Sequence, residues 1–202
     1  YFVKIEADIE TLDKNRVNII YSIDKGDKAK IAKIYFLGEK KYRDTKLRDV
    51  ITSQESKFWK FLSRNVYLNE SRILMDKRLL NNFYKNKGFF NVKVNSSFAN
   101  YLGDDKFELI YNIAAGKKYF FNEIDLVLPL DYDETNFIKL KSLFSNLKGK
   151  PYSLNSVNKL LQEIDKIVLS EQYEFLKSSV SETINDNLID FIFKIQESEK
   201  FY

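Results

Sequence analysis

The stretch NNFYKNKGFFNVKV, residues 81–94, changes its period in the middle. Up to Lys87 the apolar residues recur at helical spacing, continuing a face made by Ile73, Met75, Leu79, Leu80, Phe83 and Tyr84. After Gly88 apolar and polar residues alternate. Glycine adopts the left-handed conformation that ends a helix without steric cost. The pattern therefore predicts a helix over about 69–87, a stop at Gly88 and a strand over 89–98. The segment NYLGDDK (100–106) then reads as a turn, where Asp104 and Asp105 suit local hydrogen bonding. FELIYNIAAG (107–116) returns as a second strand.

That returning strand has two counterparts, VNIIYSIDKG (17–26) and LIDFIFKIQES (188–198). Ile19, Leu109 and Phe191 align, as do Tyr21, Tyr111 and Phe193, and Ile23, Ile113 and Ile195. Each run alternates with extra apolar residues between, which suits a strand central in its sheet. The intervals of 90 and 82 residues are those of a small domain rather than a solenoid unit. The elements between the repeats keep one order. KIAKIYFLG (30–38) is a strand, Asp44 an N-cap for a short helix with Leu47, Val50 and Ile51, and the helix to Gly88 follows. In the second copy KYFFNEIDLVLP (118–129) is a strand. Asp133 or Glu134 opens a helix with Phe137, Leu140, Phe144 and Leu147 that closes near Gly149. A second helix carries Val157, Leu160, Leu161, Ile164, Ile167 and Val168 in a continuous stripe. The strand 173–183 and the turn 185–187 complete it, with Gln172 where Gly88 stood.

Each copy is strand–helix–helix–strand–strand. A strand returning beside the first after two helices makes a mixed three-stranded sheet with both helices on one face, an α+β fold. Residues 1–26 supply only the closing hairpin of a preceding copy; 27–116 and 117–202 are complete. The chain opens directly in strand without Met, so it reads as a piece of a longer protein.

Composition narrows the chemistry. Of 202 residues, 44% are hydrophobic and 31% charged, as in a folded domain, and no apolar run reaches the roughly 18–20 residues of a spanning helix. There is no Cys and no His, which removes disulfides, thiolates, the commonest general base and the commonest transition-metal ligand. The net charge of +4 comes from 33 basic and 29 acidic residues interspersed, without the basic stripe of a nucleic-acid footprint. DYDE (131–134) lacks the glycine and distal Glu of a calcium loop and lies where a helix starts, so it reads as a cap. Ser96–Ser97 has neither a nucleophile elbow nor a His partner. No catalytic residue, metal or cofactor is expected.

The element order, with the handover at residues 84–89, resembles the POTRA (polypeptide-transport-associated) module. More narrowly it resembles the periplasmic arm of the outer-membrane protein assembly factors, the BamA family. Ile73, Asp76, Leu80, Phe83, Tyr84, Gly88 and Phe89 sit on that family's pattern, and SKFWKFLSRNVY (56–67) is similar to the aromatic insertion of its third module. YSIDKGDKAKIAKIYFLGEKKY (21–42) and YNIAAGKKYFFNEIDL (111–126) resemble its joints. On this likeness the chain holds the end of the second module and all of the third and fourth. The second full copy departs in lacking the Gly-aromatic handover.

The residues themselves point to the hairpin partner of each central strand as a sheet edge able to accept another strand. In the first copy this is Asn91, Val92, Lys93, Val94, Asn95, Ser96, Ser97 and Phe98; in the second it is 173–183. Lys93 and Lys177 suit edge protection equally well. Trp59 and Phe61, in FWKFL (58–62), read as extra core for a small domain or as an aromatic contact with a partner. The resemblance implies three partners: unfolded outer-membrane proteins, accessory assembly lipoproteins and the protein's own membrane β-barrel. It also implies a periplasmic, non-enzymatic role with no nucleic acid. Two alternatives stay open: the POTRA arm of another barrel transporter, or a small α+β hydrolase or nucleic-acid-binding domain.

Overall fold

A computed structural model describes residues 4–12, 16–24, 29–57, 63–129, 132, 134–170 and 176–197. The chain divides into two compact units, Tyr1–Leu80 with Val94–Ile113, and Asn81–Lys93 with Ala114–Tyr202. The first contains the antiparallel hairpin β1 (Lys4–Leu12) and β2 (Arg16–Asp24), then β3 (Lys30–Glu39) and a short helix α1 (Asp44–Arg48). Helix α2 (Glu70–Lys85), β4 (Lys93–Gly103) and β5 (Lys106–Ala114) follow, and the sheet order is β3-β5-β4. In the second unit, β6 (Phe120–Val127) leads through a 3-10 turn (Glu134–Phe137) into α3 (Ile138–Leu147). Then come α4 (Leu154–Ser170), β7 (Leu176–Asn185) and β8 (Leu188–Glu197), with sheet order β6-β8-β7. β8 runs parallel to β6 and antiparallel to β7, so this sheet is mixed. The closing strand of each copy is central, as its two-sided apolar pattern predicts.

Periodicity fixes which faces are buried. On β8, Ile189, Phe191, Phe193 and Ile195 point into the core, while Lys194 and Gln196 are exposed. Val157, Leu160, Ile164 and Val168 of α4 and Leu140 and Phe144 of α3 close over that face. In the first unit Leu109, Tyr111 and Ile113 of β5 are buried with Ile31, Ile34 and Phe36 of β3, and the Phe36 and Tyr111 rings stack at 5.7 Å. The hairpin β1–β2 differs: its cross-strand pairs Ile5–Ile23 and Ile9–Ile19 lie on one face and are all exposed.

Among the described residues two polar residues are buried in the first unit, Ser53 and Asp76. Asp76 of α2 is fully buried and accepts hydrogen bonds from Thr52 N (2.6 Å), Thr52 Oγ1 (2.7 Å), Ser53 N (3.2 Å) and Tyr111 Oη (2.7 Å). Burial, with the Asp76 carboxylate beside it, pushes the Tyr111 phenol far up from its ordinary value. A single carboxylate thus ties α2, the 52–53 loop and the central strand together.

Several expected boundaries move. Arg43 is the N-cap of α1 and gives no side-chain cap; Asp44 is the first helical residue and pairs with Lys40. β4 begins at Lys93 rather than at 89, because Phe90 N to Gly88 O (3.1 Å) and Val92 N to Phe89 O (3.3 Å) fold 88–92 into turns. The 100–106 turn shrinks to Asp104–Asp105, whose φ values of 49° and 54° suit the tight turn matched to strand twist. Likewise β7 runs to Asn185, leaving Asp186–Asn187 as the turn. Phe58, Trp59, Phe61, Asp133 and Gln172 lie outside the described residues.

Candidate strand-docking edges

The launch of β4 is built locally. Gly88, at φ 99°, follows α2; Phe89 N donates to Tyr84 O (3.1 Å) and Gly88 N to Lys85 O (3.4 Å). This is the Schellman arrangement, and its usual apolar contact is the edge-on pair of Tyr84 and Phe89, 5.6 Å apart. The loop that follows is anchored within the second unit. Tyr119 N donates to Gly88 O (2.8 Å), Asn91 Nδ2 to Tyr119 Oη (2.7 Å), and Phe90 packs edge-on against Tyr152 at 4.9 Å. Asn91 and Val92 therefore precede the strand, Asn91 in a side-chain contact and Val92 buried. Lys93, Val94, Asn95, Ser96, Ser97 and Phe98 do lie on β4, with Lys93 exposed and Val94 buried.

Each three-stranded sheet has two edges, and they are treated differently. The outer side of β3 is covered by the chain between the helices: Leu68 N donates to Ala29 O (2.8 Å) and Ser56 N to Ile31 O (2.7 Å), and Tyr67 bridges to Lys30. Farther along, Glu55 Oε1 accepts from Ile34 N (3.1 Å) while Arg48 Nη2 donates to Ile34 O (2.7 Å). Arg48 and Glu55 are themselves paired. The start of β6 is covered in the same way, by Tyr152 N to Tyr119 O (2.9 Å) and Gly149 N to Phe121 O (2.8 Å). Among the described residues β4 and β7, by contrast, each have a strand neighbour on one side only. The second strand of each copy is an edge, as expected, and the covered first strand is what sequence reasoning missed. Arg48 and Glu55 carry no periodic signal; only their opposite charge hints at a pair.

Burial alone would raise the Glu55 carboxyl, but the hydrogen bonds from Arg48 and the Ile34 amide, together with the charges of Arg48 and Lys57, outweigh it and hold the group below its ordinary value. A depressed carboxyl contributes stability above its unfolded value, about 4.3, that is lost as pH falls through the folded value. Glu55→Gln should therefore shrink the fall in the first unit's unfolding midpoint between neutral pH and about pH 3. Urea titrations at the two pH values check this; an unchanged fall would show that Glu55 does not set it.

Among the described residues no group of three or more acidic side chains gathers to hold a metal ion. Comparison with known proteins agrees with the architecture. The POTRA family model, described as a surface antigen variable number repeat, matches residues 29–116. The outer membrane protein assembly factor BamA of Neisseria meningitidis serogroup B is 27% identical over 202 residues, 99% of this chain and 25% of that protein. BamA of Neorickettsia risticii is 26% identical over 133 residues, 66% of this chain and 18% of that one. The chain thus spans about a quarter or less of these relatives. A crystal structure of Haemophilus influenzae BamA POTRA3-5 superposes with a TM-score of 0.57 at 14% identity, over 97% of this chain and 73% of that one. POTRA1-2 of Anabaena Omp85 superposes at 0.51 and 11% identity, over 86% and 99%. With strand order, mixed sheet and relatives in agreement, residues 29–116 are a POTRA domain, and the chain as a whole is similar to the tandem POTRA arrays of outer-membrane protein assembly factors.

Proposed function

We propose that these repeats, with boundaries at 1–26, 27–116 and 117–202, form part of the periplasmic arm of an outer-membrane β-barrel assembly factor. They take up unfolded outer-membrane proteins, and accessory lipoproteins, by adding the partner's strand to β4. The observation that carries this reading is the asymmetry of the edges. In both sheets the start of the first strand is covered by the chain between the helices, while β4 and β7 keep one side without a strand neighbour among the described residues. Backbone pairing is tolerant of sequence, which suits a receptor for many clients, and alternate side chains supply the selectivity.

Neighbouring residues of an extended strand direct their amides to opposite sides. Of Ser96→Pro and Ser97→Pro, one removes an outward donor and the other breaks the ladder to β5. NMR titration with a peptide copying an outer-membrane strand should shift residues 93–103. One of the two proline variants should bind at least about tenfold more weakly while keeping its fold, since a lost strand register removes several backbone hydrogen bonds. No shift along β4 at millimolar peptide would sink the reading.

A further inference from the structure

The first strands of the two copies are covered alike at their start and differently farther along. Ala29 corresponds to Tyr119 and Ile31 to Phe121, because each pair accepts the same two covering hydrogen bonds. Ile34 then corresponds to Ile124. In the first copy Glu55 and Arg48 cap the Ile34 backbone. In the second the spacing is the same, Phe121 and Ile124 both facing the core across a register shift, but among the described residues no side chain caps Ile124. A groove of about 470 Å³ opens there between β6 and α3, floored by Ile124, Leu126, Phe137, Leu140 and Phe144. That volume is in the range of small-ligand sites.

We infer that the groove between β6 and α3 is a second strand-docking site, whose occupant is an extended peptide with apolar side chains at alternate positions and a Lys or Arg opposite Asp125. The inference rests on the strand-addition reading and extends it to a site that reads side chains as well as backbone. β6 offers one side of its backbone beyond the bulge, and α3 offers an apolar wall, so a strand laid between them pairs along one edge and buries every second side chain. The charge of the rim selects the rest. Glu123 pairs with Lys148 and Glu134 with Lys141 (3.6 Å), so these four cancel. Asp125 is exposed, lines the groove and has no ion-pair partner among the described residues. Among the described residues the rim therefore carries one uncompensated negative charge, complementary to a basic residue.

The test uses this chain and two short synthetic peptides alternating valine and threonine, one with a central lysine and one with a central glutamate. Chemical shifts should move at 124–128 and 137–144, and the lysine peptide should bind on the order of threefold more tightly at low salt, as exposed pairs do. Asp125→Lys, at an exposed position, should reverse that preference. Shifts on β4 alone overturn the groove and leave the β4 reading standing. Shifts in the groove alone support it and remove β4 as the receptor. Equal affinity for the two peptides, or no reversal in the variant, overturns the inference, and no shift at either place overturns both.

Discussion

Asp76→Ala should cost the first unit about 3–5 kcal/mol, the loss seen when the partner of buried charged or hydrogen-bonded groups is removed. The carboxylate is the acceptor for four donors, and two of them, Ser53 N and Tyr111 Oη, belong to buried residues. Each buried donor left without an acceptor costs about 1–3 kcal/mol, and whole domains are stable by only about 5–15 kcal/mol. Asp76→Asn keeps one oxygen for Thr52 and should cost about half as much. Tyr111→Phe removes one donor and leaves Asp76 three, so it should cost about 1–2 kcal/mol. Because tandem repeats need not unfold in one step, the measurement is amide hydrogen exchange at Leu109 and Ile113 rather than a whole-chain signal. Protection at those amides within about 1 kcal/mol of the parent in Asp76→Ala would refute the tie through Asp76.

What the sequence made legible was local or periodic. Gly88 announced the helix end because the residue and its conformation are one property, and the stripe on α4 announced the face that packs. The central strands β5 and β8 showed themselves by carrying apolar residues on both faces, and the edges followed by elimination. The onset of β4 departs from the pattern for a physical reason: Phe90, Val92 and Val94 alternate like a strand, yet Phe89 is committed to Tyr84 and Phe90 to Tyr152. Turn and strand compete for the same apolar pattern there, and the hydrogen bonds of the Schellman motif decide. The covers on β3 and β6 were not legible at all. Arg48 and Glu55 reach Ile34 across 14 and 21 residues of chain, a contact that no local pattern encodes. Nor was the open groove at Ile124, since Ile34 and Ile124 look alike in sequence and differ only in what folds over them.

Gly38→Ala should be the costliest single methyl added to the first unit, at about 3 kcal/mol or more, since two penalties combine there. Gly38 lies in β3 at φ 86°, and a Cβ at this position would overlap the Ile113 carbonyl oxygen and Asn112 Oδ1 of β5. The left-handed conformation alone costs a non-glycine residue about 1–2 kcal/mol. The overlap adds to it. The Asn112 side chain can swing away, but the Ile113 carbonyl is backbone of the central strand, so β3 must separate from β5 to admit the methyl. Gly103→Ala isolates the first penalty, because Gly103 has φ 91° and a Cβ there would meet nothing within 4 Å. It should cost only the conformational strain, about 1–2 kcal/mol. Urea unfolding of both variants, read at β5 amides, gives the difference that belongs to close approach alone. Equal losses would mean that β3 and β5 can part without penalty and that glycine at 38 serves its φ angle only. A larger loss at Gly38 makes this residue the spacer that lets the first strand lie against the central one.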